Sequence, residues 1–261
     1  MSLLVRTWNV FHGNAQPPER RAFLEQMVRL AIADRPDVLC LQELPVWSLS
    51  RLESWSEMQA FGAVAARPLL GSAELGRLIT ELHHGLLRSA FTGQANAILL
   101  RRGLRPLATH SIVLNPPAFR RRVARELGLQ ARLRCRWAKE RRVCHAVRTE
   151  DLTVANLHGS SVPDWRIPDA ELMRAAVFAD TFAEPSDVLV LAGDFNVIRE
   201  HSQTLAQLSG PDWGFTKPIS WIDQVLVRGA PSTPAQRWPE ERRRTYGKLL
   251  SDHAQVDVSL E

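Results

Sequence analysis

The chain has 261 residues, 33 of them basic and 28 acidic, with 45% apolar and 23% charged side chains. That is enough apolar material for a large core and too little charge for a disordered chain. No apolar run approaches the roughly eighteen residues a membrane span requires. The short opening Met1-Ser-Leu-Leu-Val-Arg lacks a signal peptide's small-residue cleavage site, so it reads as a first strand, and a cytoplasmic protein with a single domain over 1–261 is expected. Cys40, Cys135 and Cys144 are odd in number and form no C-x-x-C pair, which excludes a disulfide framework and a zinc site; they read as small buried hydrophobes.

In chain order, Leu3 to Val10 is an apolar run of strand length. Pro17-Pro18-Glu19 then opens a helix with Phe23, Met27, Leu30 and Ala31 at helical spacing, closed by Pro36. Val38 to Leu41 predicts a buried strand with Gln42 and Glu43 at its exit, and an amphipathic stretch follows from Leu49 to Met58. A helix is expected over Ala73 to Phe91, and strands over Ala95 to Leu100 and Ser111 to Leu114. Phe119 to Arg142 reads as either a basic helix or a long ordered loop. Val143 to Val147 and Leu152 to Leu157 predict a hairpin turning at Thr149-Glu150-Asp151. A helix from Asp169 to Phe182, a strand Val188 to Leu191, a short helix His201 to Leu208, and strands Trp221 to Val227 and Ala254 to Leu260 complete the chain. Short strands interleaved with a few helices, without a strict βαβ rhythm, favour a mixed α/β sandwich of two sheets with helices outside.

Charge is unevenly placed. Residues 120–148 hold eleven basic side chains and two acids, a net +9, so the other residues sum to −4 against a total of +5. Such a patch suits a polyanionic partner, although arginine is used in place of lysine throughout.

Polar residues that would be costly in a core collect at the strand ends: Asn9, Glu43, Asn156 with His158, and Asp194 with Asn196. Asp223 and Asp252-His253 begin their strands, and the end of one antiparallel strand lies beside the start of the next, so one rim can gather them all. Several carboxylates with histidines and carboxamides suit a hard divalent cation that leaves room for phosphate and water. Adjacent His83-His84 point about 100° apart on a helix and read as solvated. There is no G-x-S-x-G elbow, Walker loop or dinucleotide fingerprint.

Thr7-Trp-Asn-Val, Leu41-Gln-Glu43, Asn96-Ala-Ile-Leu, Ala155-Asn-Leu-His158, Gly193-Asp-Phe-Asn196, Trp221-Ile-Asp223 and Ser251-Asp-His253 follow one another in the order and approximate spacing of the endonuclease/exonuclease/phosphatase superfamily, which the chain resembles over nearly its whole length. The resemblance implies a DNase I-like four-layered α/β/β/α sandwich and a Mg²⁺- or Mn²⁺-dependent hydrolase. It implies Glu43 as a metal ligand, with Asp252 completing the metal site because Phe11 stands where some branches carry an aspartate. Asn9 and Asn156 would meet substrate phosphate, Asp194 and Asn196 position and deprotonate the attacking water, and His253 contact the scissile phosphate with Asp223 behind it. His158 resembles the second histidine of the deoxyribonuclease and sphingomyelinase branches, stabilising phosphate charge or protonating the leaving oxygen, and the Asn-x-His pattern disfavours the abasic-site endonuclease branch. The expected activity is that of a nuclease-like phosphodiesterase with DNA as substrate, the arginine segment contacting backbone phosphates. The alternatives are a lipid-headgroup or inositol-phosphate phosphoesterase and an inactive binding domain of the same fold.

Overall fold

Most of the longer strands form where the apolar runs predict them. The computed structural model describes residues 2–19, 22–68, 72–82 and 91–261. The first half contains β1 (Leu3–Asn9), β2 (Ala15–Gln16), α1 (Leu24–Ala31), β3 (Val38–Leu44), α2 (Leu52–Ser56), β4 (Gln59–Ala66), α3 (Ala73–Leu82) and β5 (Gln94–Leu100). There follow β6 (Ala108–Val113), α4 (Pro117–Glu126), α5 (Ala131–Ala138), β7 (Val143–Arg148), β8 (Leu152–His158) and α6 (Arg166–Phe182). The chain closes with β9 (Val188–Asp194), α7 (Gln203–Leu208), β10 (Asp223–Arg228), β11 (Gln236–Arg237), β12 (Arg244–Thr245), β13 (Lys248–Leu250) and β14 (Val256–Leu260).

One sheet runs β11-β14-β1-β3-β5-β4, a second β10-β9-β8-β7-β6, and a small third sheet β12-β13-β2. Alternation along each strand makes the layers. Val5, Val38, Cys40 and Ile98 of the first sheet meet Val154, Val190, Ala192 and Val225 of the second in one buried cluster. The opposite face of the first sheet, with Trp8, Leu39 and Leu41, packs on Leu24, Met27 and Val28 of α1 and Leu52 of α2. Leu157, Leu189 and Leu191 of the second sheet pack on Leu172, Ala175 and Ala179 of α6 and Leu205 of α7. The order helix, sheet, sheet, helix is the four-layered sandwich that the family resemblance implies.

Several expectations need correction. The first helix begins at Leu24 rather than at the prolines, since its buried face is Leu24, Met27, Val28 and Ala31. β4 occupies Gln59–Ala66, where no strand is predicted; it is an alanine- and glycine-rich edge strand held by its antiparallel pairing to β5. The arginine-rich segment is two helices. Gly128, at φ +63, turns the chain between them, with Leu129 N–H donating to Ala124 O at 2.9 Å and Gly128 N–H to Arg125 O at 3.3 Å. Cys40 and Cys144 are buried as expected, but Cys135 is exposed, because α5 buries only Trp137. His83-His84 lie outside the described residues, as does the expected continuation of α3 to Phe91 over 83–90. No helix among the described residues is long and apolar enough to cross a membrane.

Candidate active site

Register builds half of the site. β8 and β9 pair in parallel with His158 opposite Asp194, and β9 and β10 pair antiparallel with Asp194 opposite Asp223. Paired residues point to the same face, so three neighbouring strands deliver a histidine and two carboxylates in one row at one end of the sheet. Gly193 makes the approach possible: it sits at φ +137, and a Cβ there would fall 1.9 Å from Leu157 O.

The first sheet supplies the facing half. Asn9 ends β1, and its neighbour Glu43 lies in a bulge of β3, where the register with β5 slips between Leu41 and Leu44. Strict alternation would send Glu43 to the helix side, but the bulge and its φ of +55 turn it towards the rim. His253 follows Ser251, whose hydroxyl donates to Asn9 O at 2.7 Å and accepts from His253 N–H at 3.1 Å. Trp8 Nε1 (3.0 Å) and Arg243 Nη1 (2.8 Å) both donate to the His253 carbonyl.

Asn9 bridges the two halves: its Nδ2 donates to Asp194 Oδ2 at 3.0 Å and Glu43 Oε1 at 3.3 Å, while its Oδ1 accepts from Phe11 N–H. His158 Nε2 faces the same two oxygens, at 3.5 Å from Asp194 Oδ2 and 3.6 Å from Glu43 Oε1. Its Nδ1 accepts from Arg142 Nη1 at 3.0 Å, which places the ring proton on Nε2. Asp194 Oδ1 accepts the backbone N–H of Asn196, whose side chain donates to Gly159 O at 3.1 Å. Asp223 holds His253 Nδ1 at 3.0 Å from both its oxygens and also accepts from Trp221 Nε1 at 3.0 Å.

The charges follow from these contacts. Burial raises Asp194 to about 6, against the opposing pull of His253 and the bond from Asn9. Burial likewise raises Glu43, partly countered by Arg142. For His253, burial disfavours the charged ring, but Asp194, Asp223 and Asp252 together outweigh it and lift the ring to about 10, an imidazolium at neutral pH. Burial, reinforced by Arg142, drives His158 far below the usual histidine range, so it is neutral.

Asp194, Asp223 and His253 offer atoms within 4.8 Å of one another. Asp223 is engaged by His253 and Trp221, however, and a protonated imidazole is no metal ligand. The donor set that fits a hard divalent cation is therefore half-buried Glu43 with buried Asp194, two carboxylates turned to the same N–H donors. Arg142, Arg243 and the His253 imidazolium are cations that act on this group of carboxylates, Glu43, Asp194, Asp223 and Asp252.

Seven expected site residues thus meet: Asn9, Glu43, His158, Asp194, Asn196, Asp223 and His253. Asp252 stands at the rim, its Oδ1 3.9 Å from His253 Nε2 and its side chain 36% exposed. Asn156 lies beneath the rim and not on it. It is fully buried, with Nδ2 donating to Leu41 O (3.0 Å) and Ala97 O (2.9 Å) and Oδ1 accepting from Gln42 Nε2 (2.7 Å). Every polar atom of Asn156 is consumed in tying the two sheets together beneath the site. Asn96, likewise buried, donates to Val143 O at 3.2 Å. Arg142, not singled out by sequence, is a buried member of the site, held also by Gln94 Oε1 at 3.2 Å and by Glu140. His12, three residues after Asn9, places Nε2 3.5 Å from Glu43 Oε2.

Residues 7–253 match the Endonuclease/Exonuclease/phosphatase family, and the chain belongs to it. Among solved structures, an endonuclease/exonuclease/phosphatase from Bacteroides vulgatus is 15% identical over 100% of this chain and 99% of its own, with a TM-score of 0.66. The mannosyl-6-phosphatase Bt3783 of Bacteroides thetaiotaomicron VPI-5482 is 15% identical over 99% of each chain, with a TM-score of 0.62. A humanized D. rerio TDP2 is 15% identical over 100% of this chain and 99% of its own, with a TM-score of 0.61. At these identities the likeness is one of fold. No curated protein matches the chain.

Proposed function

We propose that this protein is a divalent-metal-dependent phosphodiesterase of nuclease type that hydrolyses its substrate by in-line attack of water. The observation that carries this reading is the arrangement at one rim: Glu43 and Asp194 turned to the one amide of Asn9 on one side, His253 held through Nδ1 by Asp223 on the other. Glu43 and Asp194 would hold Mg²⁺ or Mn²⁺, with Asp252 at the rim, and the ion would supply Lewis-acid stabilisation of phosphate charge.

Asp194 would accept the proton of the attacking water. The backbone N–H of Asn196 holds one of its oxygens, so the other faces the rim. The new bond joins water oxygen to phosphorus, and the phosphorus–ester bond breaks, the ester oxygen leaving with a proton from solvent. His253 keeps its Nδ1–H on Asp223 and presents Nε2–H to a phosphate oxygen, meeting the charge that develops at phosphorus. His158, held neutral by its setting, serves as a hydrogen-bond donor through Nε2 rather than as the leaving-group acid. Asn9 aligns the two carboxylates through one amide.

A substrate panel tests the proposal: duplex and single-stranded DNA, bis-p-nitrophenyl phosphate, inositol polyphosphates and sphingomyelin, with Mg²⁺ or Mn²⁺, each beside His253→Ala. Cleavage of DNA and of the model diester that vanishes in the variant is the expected result. Headgroup or inositol phosphate release with inert DNA would replace the nuclease reading by the lipid one, and an inert protein that binds these ligands would make it a binding domain.

A further inference from the structure

The connection from β6 to β7 is a helical hairpin, α4 and α5, that the four layers do not require. Its apolar side chains Phe119, Val123, Ala124, Leu129 and Trp137 are buried against Ile167 of α6, so the pair is anchored. Its outer surface is cationic. Arg121, Arg125, Arg132, Arg134, Arg136 and Lys139 are exposed, and none has an acidic partner among the described residues, in contrast to Arg122, which pairs with Glu126. Arg121 with Arg125, and Arg132 with Arg136, stand one helical turn apart, where like charges repel. A bound polyanion would offset that repulsion.

Two cavities flank α5. One, of about 490 Å³, is lined by Arg132, Arg136 and Lys139 together with Ser160 and Ser161 of the loop that leaves His158, and by one carboxylate, Glu140, which is bonded to Arg142. The other, of about 430 Å³, lies between the helices and is lined by Arg120, Arg121, Arg125 and Arg134. Trp137 borders both. The first cavity is fixed relative to the catalytic rim by a buried carboxylate: Glu171 accepts from Trp137 Nε1 (2.6 Å), Ser160 N–H (2.7 Å) and Ser160 Oγ (2.8 Å). At the hairpin's end, Arg142 joins Glu140 to His158.

We propose that the α4–α5 hairpin is a backbone clamp for a nucleic-acid strand, the cavity against Ser160 receiving a phosphate next to the scissile one and the inter-helix groove the phosphates beyond. The inference rests on the phosphodiesterase reading of the rim for its placement. Membrane is the less suitable polyanion, because an interfacial helix needs exposed apolar side chains, and the large hydrophobics exposed among the described residues, Leu75, Leu78, Leu107, Trp165, Val177 and Tyr246, all lie off these helices. Contacts of this kind read charge and spacing rather than bases, so binding is sequence-independent and strongly salt-dependent.

The test is fluorescence anisotropy of labelled single-stranded and duplex oligonucleotides in EDTA, which prevents cleavage, across a salt series. Two charge variants are compared with the wild type: Arg121→Glu/Arg125→Glu/Arg134→Glu, and Arg132→Gln/Arg136→Gln/Lys139→Gln, with circular dichroism and urea unfolding reporting their fold. The clamp predicts a rise in Kd of about tenfold or more in each, and a salt slope shallower by about 2 to 3 for three lost contacts. Folded variants with unchanged affinity and slope, or tighter wild-type association with phosphatidylserine vesicles than with oligonucleotide, would overturn it. Wild-type hydrolysis of bis-p-nitrophenyl phosphate, which has no second phosphate to place on the helices, separates the two readings. If that diester is inert while the variants still lose oligonucleotide affinity, the phosphodiesterase reading fails and the clamp stands.

Discussion

Asn156→Ala separates a structural carboxamide from a substrate-binding one. Truncation removes two donors, to Leu41 O and Ala97 O, and the acceptor for Gln42 Nε2, at a site with no access to water. Each bond contributes about 1 kcal/mol net, and a buried group left without its partner costs about 1–3 kcal/mol. Gln42 keeps its bond to Thr7 Oγ1, so the two carbonyls carry most of the penalty. The sum, about 3–5 kcal/mol, is a large share of the 5–15 kcal/mol that typically holds a domain folded. With an m-value of about 3 kcal/mol/M for a chain of this size, the urea midpoint falls by about 1 M or more. The folded fraction, assayed at low temperature against bis-p-nitrophenyl phosphate, should keep a KM within about threefold of wild type. A midpoint shifted by under about 0.3 M together with a KM raised tenfold would show that Asn156 meets the substrate, and would refute the cross-link.

Gly193→Ala should destabilise by about 3 kcal/mol or more, since its Cβ would collide with Leu157 O at a positive φ; a thermal midpoint within about 2 °C of wild type would contradict that geometry. Arg142→Met should lower kcat at least tenfold with little change in KM, because His158 loses the donor that fixes its tautomer, and Arg142→Lys should restore part of the loss; equal kcat in all three forms would remove Arg142 from the positioning network. His145 is buried beside Thr109, and burial lowers its pKa from 6.5 to about 4. The unfolded chain therefore binds a proton there below about pH 6.5 that the folded one refuses, so stability falls as pH drops from 6.5 to 4, by about 3 kcal/mol. His145→Gln should lose correspondingly less between pH 7 and pH 4, and an identical acid-induced drop in urea midpoint would place the sensitivity elsewhere.

What the sequence made legible is what alternation and strand ends dictate. β8 and β9 read as apolar runs that turn polar at His158 and Asp194, and the parallel register sets those two side by side. The same alternation explains the place of Asn156. It shares a face with His158 but lies one pleat deeper, between the sheets, where a carboxamide serves the core. Glu43 is legible from its place after a buried strand, yet the bulge and left-handed backbone that aim it carry no local signature, for no glycine or asparagine marks the position. β4 has no sequence signal because alanine and glycine are poor strand formers, and only pairing with β5 makes Gln59–Ala66 extended. Arg142 was hidden in a run of arginines; one buried cation is indistinguishable in sequence from its ten solvated or surface-paired neighbours.

The central claim is that Asp194 activates water at this rim for metal-dependent diester hydrolysis. It is tested most directly by the single-turnover rate of oligonucleotide cleavage in saturating Mg²⁺, wild type against Asp194→Asn, with urea unfolding confirming that both are folded. The account predicts a loss of at least about a thousandfold, since base and metal-facing oxygen disappear together. A folded Asp194→Asn variant that cleaves within about tenfold of the wild-type rate would contradict it.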